Sequence, residues 1–259
     1  MTVIEQDVET VAPAQPAANR RQLAARMEPF DSFWQAPDNI EAGYAKFAAY
    51  YKHNYIPHLP ADKSVRILVV SCGPGYLVNI LNQHGYQNVL GIDADPAKIA
   101  YAKNRNLNCH AAEAFPYLED NTEPFDVIIP EQELNHLTLD EMVDFLNLAR
   151  NNMNPGGQMI VYGLNGANPL VGSENLAHNI DHFSTFSDYS LAQVLQLAGF
   201  ERINVMPLKL YVFWKNPANY VGLAATTILE LFFRACFILY GKKVKVLTKK
   251  LAATCYKPA

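Results

Sequence analysis

No two of the four cysteines are spaced as C-x-x-C, and no histidine stands beside them at metal-ligand spacing. That argues against a zinc site and a disulfide-stapled scaffold, and Cys72, Cys109, Cys236 and Cys255 read as reduced thiols of a cytoplasmic protein. A basic excess is missing too: a net charge of -4 offers no face to replace the counterions of duplex nucleic acid, so nucleic acid is not an expected partner. The middle of the chain has no Pro/Gly/Ser-rich linker and no repeat at a fixed period, which leaves one core with appendages as the simplest organisation. The opening stretch "MTVIEQDVETVAPAQPAANRRQ" lacks the continuous apolar run of a secretion signal, and residues 1–26 are expected to form a loose tail.

What is there is the composition of a soluble, enzyme-sized globular chain, half hydrophobic and 18% charged over 259 residues. In "DNIEAGYAKFAAYYKHNYIPHLP", Ile40, Tyr44, Phe47, Tyr51 and Tyr55 recur at three- and four-residue steps behind the helix-starting Asp38. Residues 27–60 therefore read as an N-terminal helical cap. Beyond them, apolar runs at 66–71, 88–92, 107–110, 126–129 and 158–163 alternate with helical patterns at 76–84, 96–103 and 139–152. Such alternation predicts parallel strands joined by crossover helices. Pro155 and Gly156 of "NPGG" stop the third helix, and "SDYSLAQVLQLAGF" supplies another that ends at Gly199. With "RINVMPL" and "YVFW" as the last two strands, the expected fold is a three-layer α/β sandwich around a seven-stranded sheet, occupying residues 61–215.

Residues 216–259 are expected to be a helical, lysine-rich extension. Its stretch 219–240 is long and apolar enough to raise a membrane span, but Glu230 and Arg234 interrupt it. Either charge at a bilayer centre would cost about 2.5–3.5 kcal/mol, and four residues apart they can pair on one helical face, so a packed helix is expected. Six lysines and no acid follow residue 240, leaving the first 240 residues at -10. A basic end of this kind suits peripheral contact with an anionic membrane or carrier, with a plain solvated face as the competing reading.

The segment "SCGPGYLVNIL" carries the first chemical signal. A strand that ends in Gly73 and Gly75 and runs directly into a helix presents unpaired helix N–H groups to a ligand with no Cβ in the way. Twenty residues after Gly73, "VLGIDADPAK" places Asp93 at the end of the next strand, where a carboxylate accepts from both hydroxyls of a ribose. Asp95 precedes Pro96 and reads as a helix cap. Val78 stands where dinucleotide-binding folds need Gly or Ala beside a pyrophosphate, which turns the reading from a nicotinamide cofactor toward S-adenosylmethionine.

Residues 66–208 resemble the class I S-adenosylmethionine-dependent methyltransferases. "VRILVVSCGPGYL" is similar to their first motif, with Ser71 where an acid is often found, and "GIDADPAKIAYAK" to the second. "FDVIIPEQELNHL" resembles the fourth strand and the "EHL" turn, with Asn135 in place of the glutamate. "NNMNPGGQMIVYGLNGANPL" resembles the "LkPGG" turn, the fifth strand and its following asparagine, here Asn165. The resemblance implies a Rossmann-like, mostly parallel sheet with an antiparallel last strand. It implies S-adenosylmethionine as cofactor, leaving as S-adenosylhomocysteine, held by Ser71, Gly73, Gly75, Asp93, Ala94, Ala112, Glu113 and Pro130. Glu113 of "CHAAEAFPYL" replaces the aspartate of the third motif. Tyr44, with Tyr51, is a candidate lid over the cofactor, set against plain core packing.

Methyl transfer needs alignment in a dry pocket, and a hydroxyl acceptor adds the need for a base. "HNIDHFSTFSDYSL" resembles the histidine-bearing segment of methyltransferases acting on glycans, lipids and quinone-like acceptors. His182 is thus the first candidate base, with Asp181 or Glu131 orienting or replacing it and His136 as a further candidate; fixing a loop is the competing role for either histidine. The C-terminal stretch resembles tails of methyltransferases linked to bacterial surface polysaccharides, which implies a glycan or other small-molecule acceptor. No metal is expected, and a homodimer and a place at the inner membrane surface are compatible with this reading. Carbon or nitrogen methylation of a small metabolite, and a non-catalytic cofactor-binding scaffold, are the alternatives.

Overall fold

The computed structural model describes residues 39–131, 134–178, 182–210 and 216–259. The tail expected at 1–26, the helix start at Asp38 and the strand expected in "YVFW" at 211–214 lie outside the described residues. The leading helix α1 covers Ile40–Asn54, followed by β1 (Arg66–Val70), α2 (Tyr76–Gln83), β2 (Asn88–Asp93), α3 (Pro96–Asn104) and β3 (Cys109–Ala111). Next come α4 (Ala114–Asp120), β4 (Phe125–Pro130), α5 (Leu139–Asn151), β5 (Met153–Leu164), α6 (Gly172–Ala177) and α7 (Asp188–Leu197). The chain closes with β6 (Glu201–Leu208), α8 (Ala218–Leu239) and β7 (Lys250–Tyr256). The short helices α4 and α6 have no clear apolar period and were not foreseen.

Seven strands form one sheet in the order β3-β2-β1-β4-β5-β7-β6, and β1 to β5 run parallel. Alternation along each central strand feeds two cores. Leu68 and Val70 of β1 join Ile128, Phe145, Leu146 and Leu195 on the α5/α7 side. Ile67 and Val69 join Leu77, Leu81, Ile99 and the tyrosines of α1 on the other. Such double burial is why β1 and β4 read as continuous apolar runs.

Two expectations are corrected. The antiparallel strand that completes the sheet is drawn from the segment expected to be a helical extension: β7 inserts between β5 and β6 and is antiparallel to both. Its sequence, KLAATCY, is buried along its centre, with Leu251, Ala253 and Cys255 in one core and Ala252 in the other. Small residues near its centre gave no strand period, and its pairing with β5 and β6 extends the α/β core past residue 215 to the C-terminal strand. The packed helix expected near 219–240 is present as α8, but it has no buried residue. Of the six lysines, Lys257 donates to the Met153 carbonyl at 2.7 Å, and Lys250 turns toward the sheet's inner edge over the Tyr162 ring.

A strand paired on both edges cannot be removed without stranding backbone groups on each neighbour. A chain ending at Thr248 is expected to lose cooperative thermal unfolding followed by circular dichroism, whereas a melt like that of the full chain would show that β7 is dispensable.

Candidate active site

The sheet order reverses between β1 and β4, so a crevice opens outside the C-terminal ends of these neighbouring parallel strands. The loop after β1 forms one wall. Ser71, Gly73 and Gly75 all have left-handed backbones, at φ 54, 54 and 83°. For Ser71 that conformation costs about 1–2 kcal/mol, which the surrounding fold imposes. Gly75 also has no room for a side chain, since a Cβ there would sit 2.9 Å from Leu107 Cδ1 and 3.3 Å from the Cys109 sulfur. As the N-cap of α2 it offers no capping side chain, which leaves the helix's positive end facing the crevice.

Asp93 meets this loop directly. Its Oδ2 accepts from Gly73 N–H at 2.7 Å and its Oδ1 from Asp95 N–H at 2.9 Å. Burial pushes the carboxyl up, while the two N–H bonds and Lys98 pull it down. Asp95 caps α3 through Ala97 N–H at 2.8 Å, as expected. Ala94 follows Asp93 in a bend, and Ala112 N–H donates to the Asp93 carbonyl at 2.9 Å. Ala112 and Glu113 line a cleft of about 590 Å³ together with Pro116 and Tyr117. Pro130 ends β4 opposite Val70.

The leading helix straps the crevice. Tyr44 donates to the Pro74 carbonyl in the glycine loop, and Tyr51 donates to Glu131 Oε2 at 2.6 Å beyond β4. The two tyrosines are seven residues apart, two turns and about 10 Å along one helical face, so one helix fastens both walls. Gly43 permits the approach, because a Cβ there would lie 2.2 Å from the Tyr76 hydroxyl, which donates to the Ile40 carbonyl at 3.0 Å. Arg105 pairs with Glu41 and lies 3.8 Å from the centre of the Tyr44 ring.

Glu131 is buried, and its Oε1 has no hydrogen-bond partner among the described residues. Burial raises its pKa, opposed by the Tyr51 and Tyr55 phenols and the Lys250 ammonium. Lys250 is lowered by its own burial, opposed by Glu131. Sequence reasoning found Glu131 and placed Tyr55 only on the apolar stripe of the leading helix and Tyr162 only in a strand; it missed Lys250, because β7 was not recognised as a strand of the sheet.

His136 and His182 come together, with ring centres 4.9 Å apart. His182 Nδ1 lies 2.7 Å from the Asn175 carbonyl oxygen. A carbonyl only accepts, so Nδ1 is the donor, and in the neutral ring Nε2 is the nitrogen that can accept. Asn135 braces the site, donating to the Ser184 carbonyl at 2.8 Å and accepting from Leu164 N–H at 3.3 Å. Asn165 donates to the carbonyls of Val246 and Thr248 at 3.0 and 2.8 Å, so these two motif asparagines act as braces of the site's edge. Leu137 and Phe183, the sequence neighbours of the two histidines, line a cleft of about 620 Å³. Asp181 lies outside the described residues.

Residues 67–157 match the model of a methyltransferase domain family. Among solved structures, a SAM-dependent methyltransferase from Archaeoglobus fulgidus is similar at a TM-score of 0.61 and 15% identity, covering 88% of this chain and 100% of that one. Phosphoethanolamine N-methyltransferase 2 of Haemonchus contortus, in complex with S-adenosyl-L-methionine, is similar at 0.54 and 15%, covering 88% and 59%. A possible histamine N-methyltransferase from Thermotoga maritima gives 0.56 and 14%, covering 86% and 97%. No curated protein sequence matches the chain. The fold is the Rossmann-like methyltransferase fold, and the matched segment contains the glycine loop and Asp93. The matched domain and the shared fold are those of S-adenosylmethionine-dependent methyltransferases, whose cofactor is S-adenosylmethionine. The residues present fit that cofactor: an uncapped helix start suits its amino-acid end, and an acid already turned to the glycine loop suits its ribose.

Hydrogen bonds to a charged group are worth about 1.5–3 kcal/mol, or roughly 10- to 100-fold in affinity. Asp93→Ala is expected to weaken S-adenosylmethionine binding by that factor in calorimetry. Unchanged affinity would remove Asp93 from the site.

Proposed function

We propose that the chain methylates a hydroxyl oxygen of a glycan or related natural product, with His182 as the general base. The single observation behind this reading is the hydrogen bond from His182 Nδ1 to the Asn175 carbonyl, which leaves Nε2 as the ring nitrogen able to accept a proton. When bound, S-adenosylmethionine supplies a methyl group on a positively charged sulfur. Ser71, Gly73, Gly75, Asp93, Ala94, Ala112, Glu113 and Pro130 hold and orient it, and Tyr44 closes over the glycine loop and excludes water. His182 Nε2 takes the hydroxyl proton as the oxygen becomes the nucleophile. His136, packed against the His182 ring, fixes its plane.

Glu131 favours a second reading. A buried carboxylate with an unpartnered oxygen, flanked by Tyr51 and Tyr55, is a recognition element for an ammonium group, which points to N-methylation of an amine. Lys250 already supplies a counter-charge there, which favours the hydroxyl reading.

A positioned base contributes about 100- to 10,000-fold. On a panel of hydroxyl acceptors, His182→Ala is expected to lower kcat by that factor while cofactor affinity stays constant; equal losses of both would make His182 structural. The Glu131→Gln variant separates the readings, since loss of turnover confined to amine acceptors would establish the second.

The same variant has a stability signature. Because burial raises the Glu131 pKa above its ordinary 4.5, ionisation favours the unfolded chain. Wild type should match Glu131→Gln below pH 4.5 and fall behind it as pH rises through the raised value. Melting curves across that range check the sign, and parallel curves would contradict it.

A further inference from the structure

The helix α8 turns a broad apolar face outward. Asn219, Gly222, Thr226, Glu230 and Arg234 recur at helical spacing along its half-buried side, joined there by Phe233, Cys236 and Phe237 in the last turns. On the opposite side Val221, Ala225, Ile228, Phe232, Ala235 and Leu239 face outward, with Ile228 at 66%, Phe232 at 60% and Leu239 at 85% exposure. Leu231 and Ile238 widen this apolar arc beyond the narrow seam that a coiled-coil partner covers. Thr227, within the arc, bonds its hydroxyl to the Leu223 carbonyl at 2.7 Å and so has no demand on water. Lys242, Lys243 and Lys245 follow the helix directly, with no acid after residue 240.

We propose that α8 is a membrane-docking element that lies in the plane of an anionic bilayer, its apolar arc in the acyl boundary and its lysines on phosphate headgroups. Breadth of the apolar arc and the adjoining cations together select a lipid surface. The connections exclude a span. Its 22 residues measure about 33 Å, enough to cross a hydrocarbon core of about 30 Å. Yet both ends of the insertion are rooted at one place, where Leu208 of β6 pairs with Lys250 of β7. From Leu239 the chain must reach Val246, which is 3% exposed in the core, in seven residues that extend at most about 25 Å and include three lysines. Arg234 fixes the return, donating to the carbonyls of Val244 and Lys245 at 3.2 and 3.1 Å. The chain doubles back along the last turns of the helix, on the same side of the membrane. This inference is independent of the acceptor reading, and its test involves no methyl transfer.

The test is co-sedimentation of the full chain with vesicles of phosphatidylcholine alone or mixed with phosphatidylglycerol. Ile228→Glu/Phe232→Glu should bind both at least tenfold more weakly, with a melting curve like that of wild type because both side chains are exposed. Lys242→Gln/Lys243→Gln/Lys245→Gln should lose about fivefold per lysine on the anionic vesicles and keep its binding to the neutral ones. Trypsin sealed inside the vesicles should leave the bound chain intact. The proposal is overturned if wild type binds neither vesicle, if Ile228→Glu/Phe232→Glu binds as wild type does, or if lumenal trypsin cuts at Lys242 or Lys243. It is equally overturned if wild type is a dimer that the glutamates split while vesicle binding persists.

Discussion

The carboxylate of Asp93 is the contact on which the site depends. One oxygen holds the Gly73 N–H and the other the Asp95 N–H, so the end of β2 is fastened to the turn that follows β1. That turn includes a serine in a left-handed conformation, which an isolated peptide would not keep. The carboxyl itself is held partly out of water, which strengthens each bond it makes and lets it recognise hydroxyls without competition. Because β1 and β4 part in opposite directions along the sheet, this acid sits at the edge where a crevice must open.

Around that contact the chain builds a closed edge. α1 latches the glycine loop through Tyr44 and the end of β4 through Tyr51, and Asn135 ties the turn after β4 to β5. Lys250 pairs in register with Leu164 of β5 and Leu208 of β6, which brings the root of α8 to the edge that carries Glu131. A helix that rests on a bilayer would therefore hold the crevice close to that surface. Methyl transfer benefits from such confinement, since alignment and exclusion of water carry most of its barrier reduction.

The sequence made visible whatever is encoded locally. Gly73, Gly75 and Asp93 stand within 21 residues of one strand-turn-helix-strand unit, and the continuous apolar run of β1 and the three-to-four-residue period of α1 mark a strand covered on both faces and a helix packed on one. Contacts between distant segments were not visible. The centre of β7 is Ala, Thr and Cys, covered on both faces and both edges, a setting that erases alternation. With β7 unrecognised, Lys250 read as one more surface lysine and its place beside Glu131 was hidden. The outward apolar face of α8 was equally hidden, because composition alone does not say which side of a helix meets the protein. His182 was found through its segment, whereas its proton acceptor, the Asn175 carbonyl, belongs to a short helix without a period.

The central claim is that the cofactor's ribose sits between the turn after β1 and the end of β2. A crystal structure with S-adenosylhomocysteine tests it most directly. The account predicts both ribose hydroxyls within hydrogen-bond distance of the Asp93 oxygens and the amino-acid end at the start of α2. A nucleoside bound at any other edge of the sheet would contradict it.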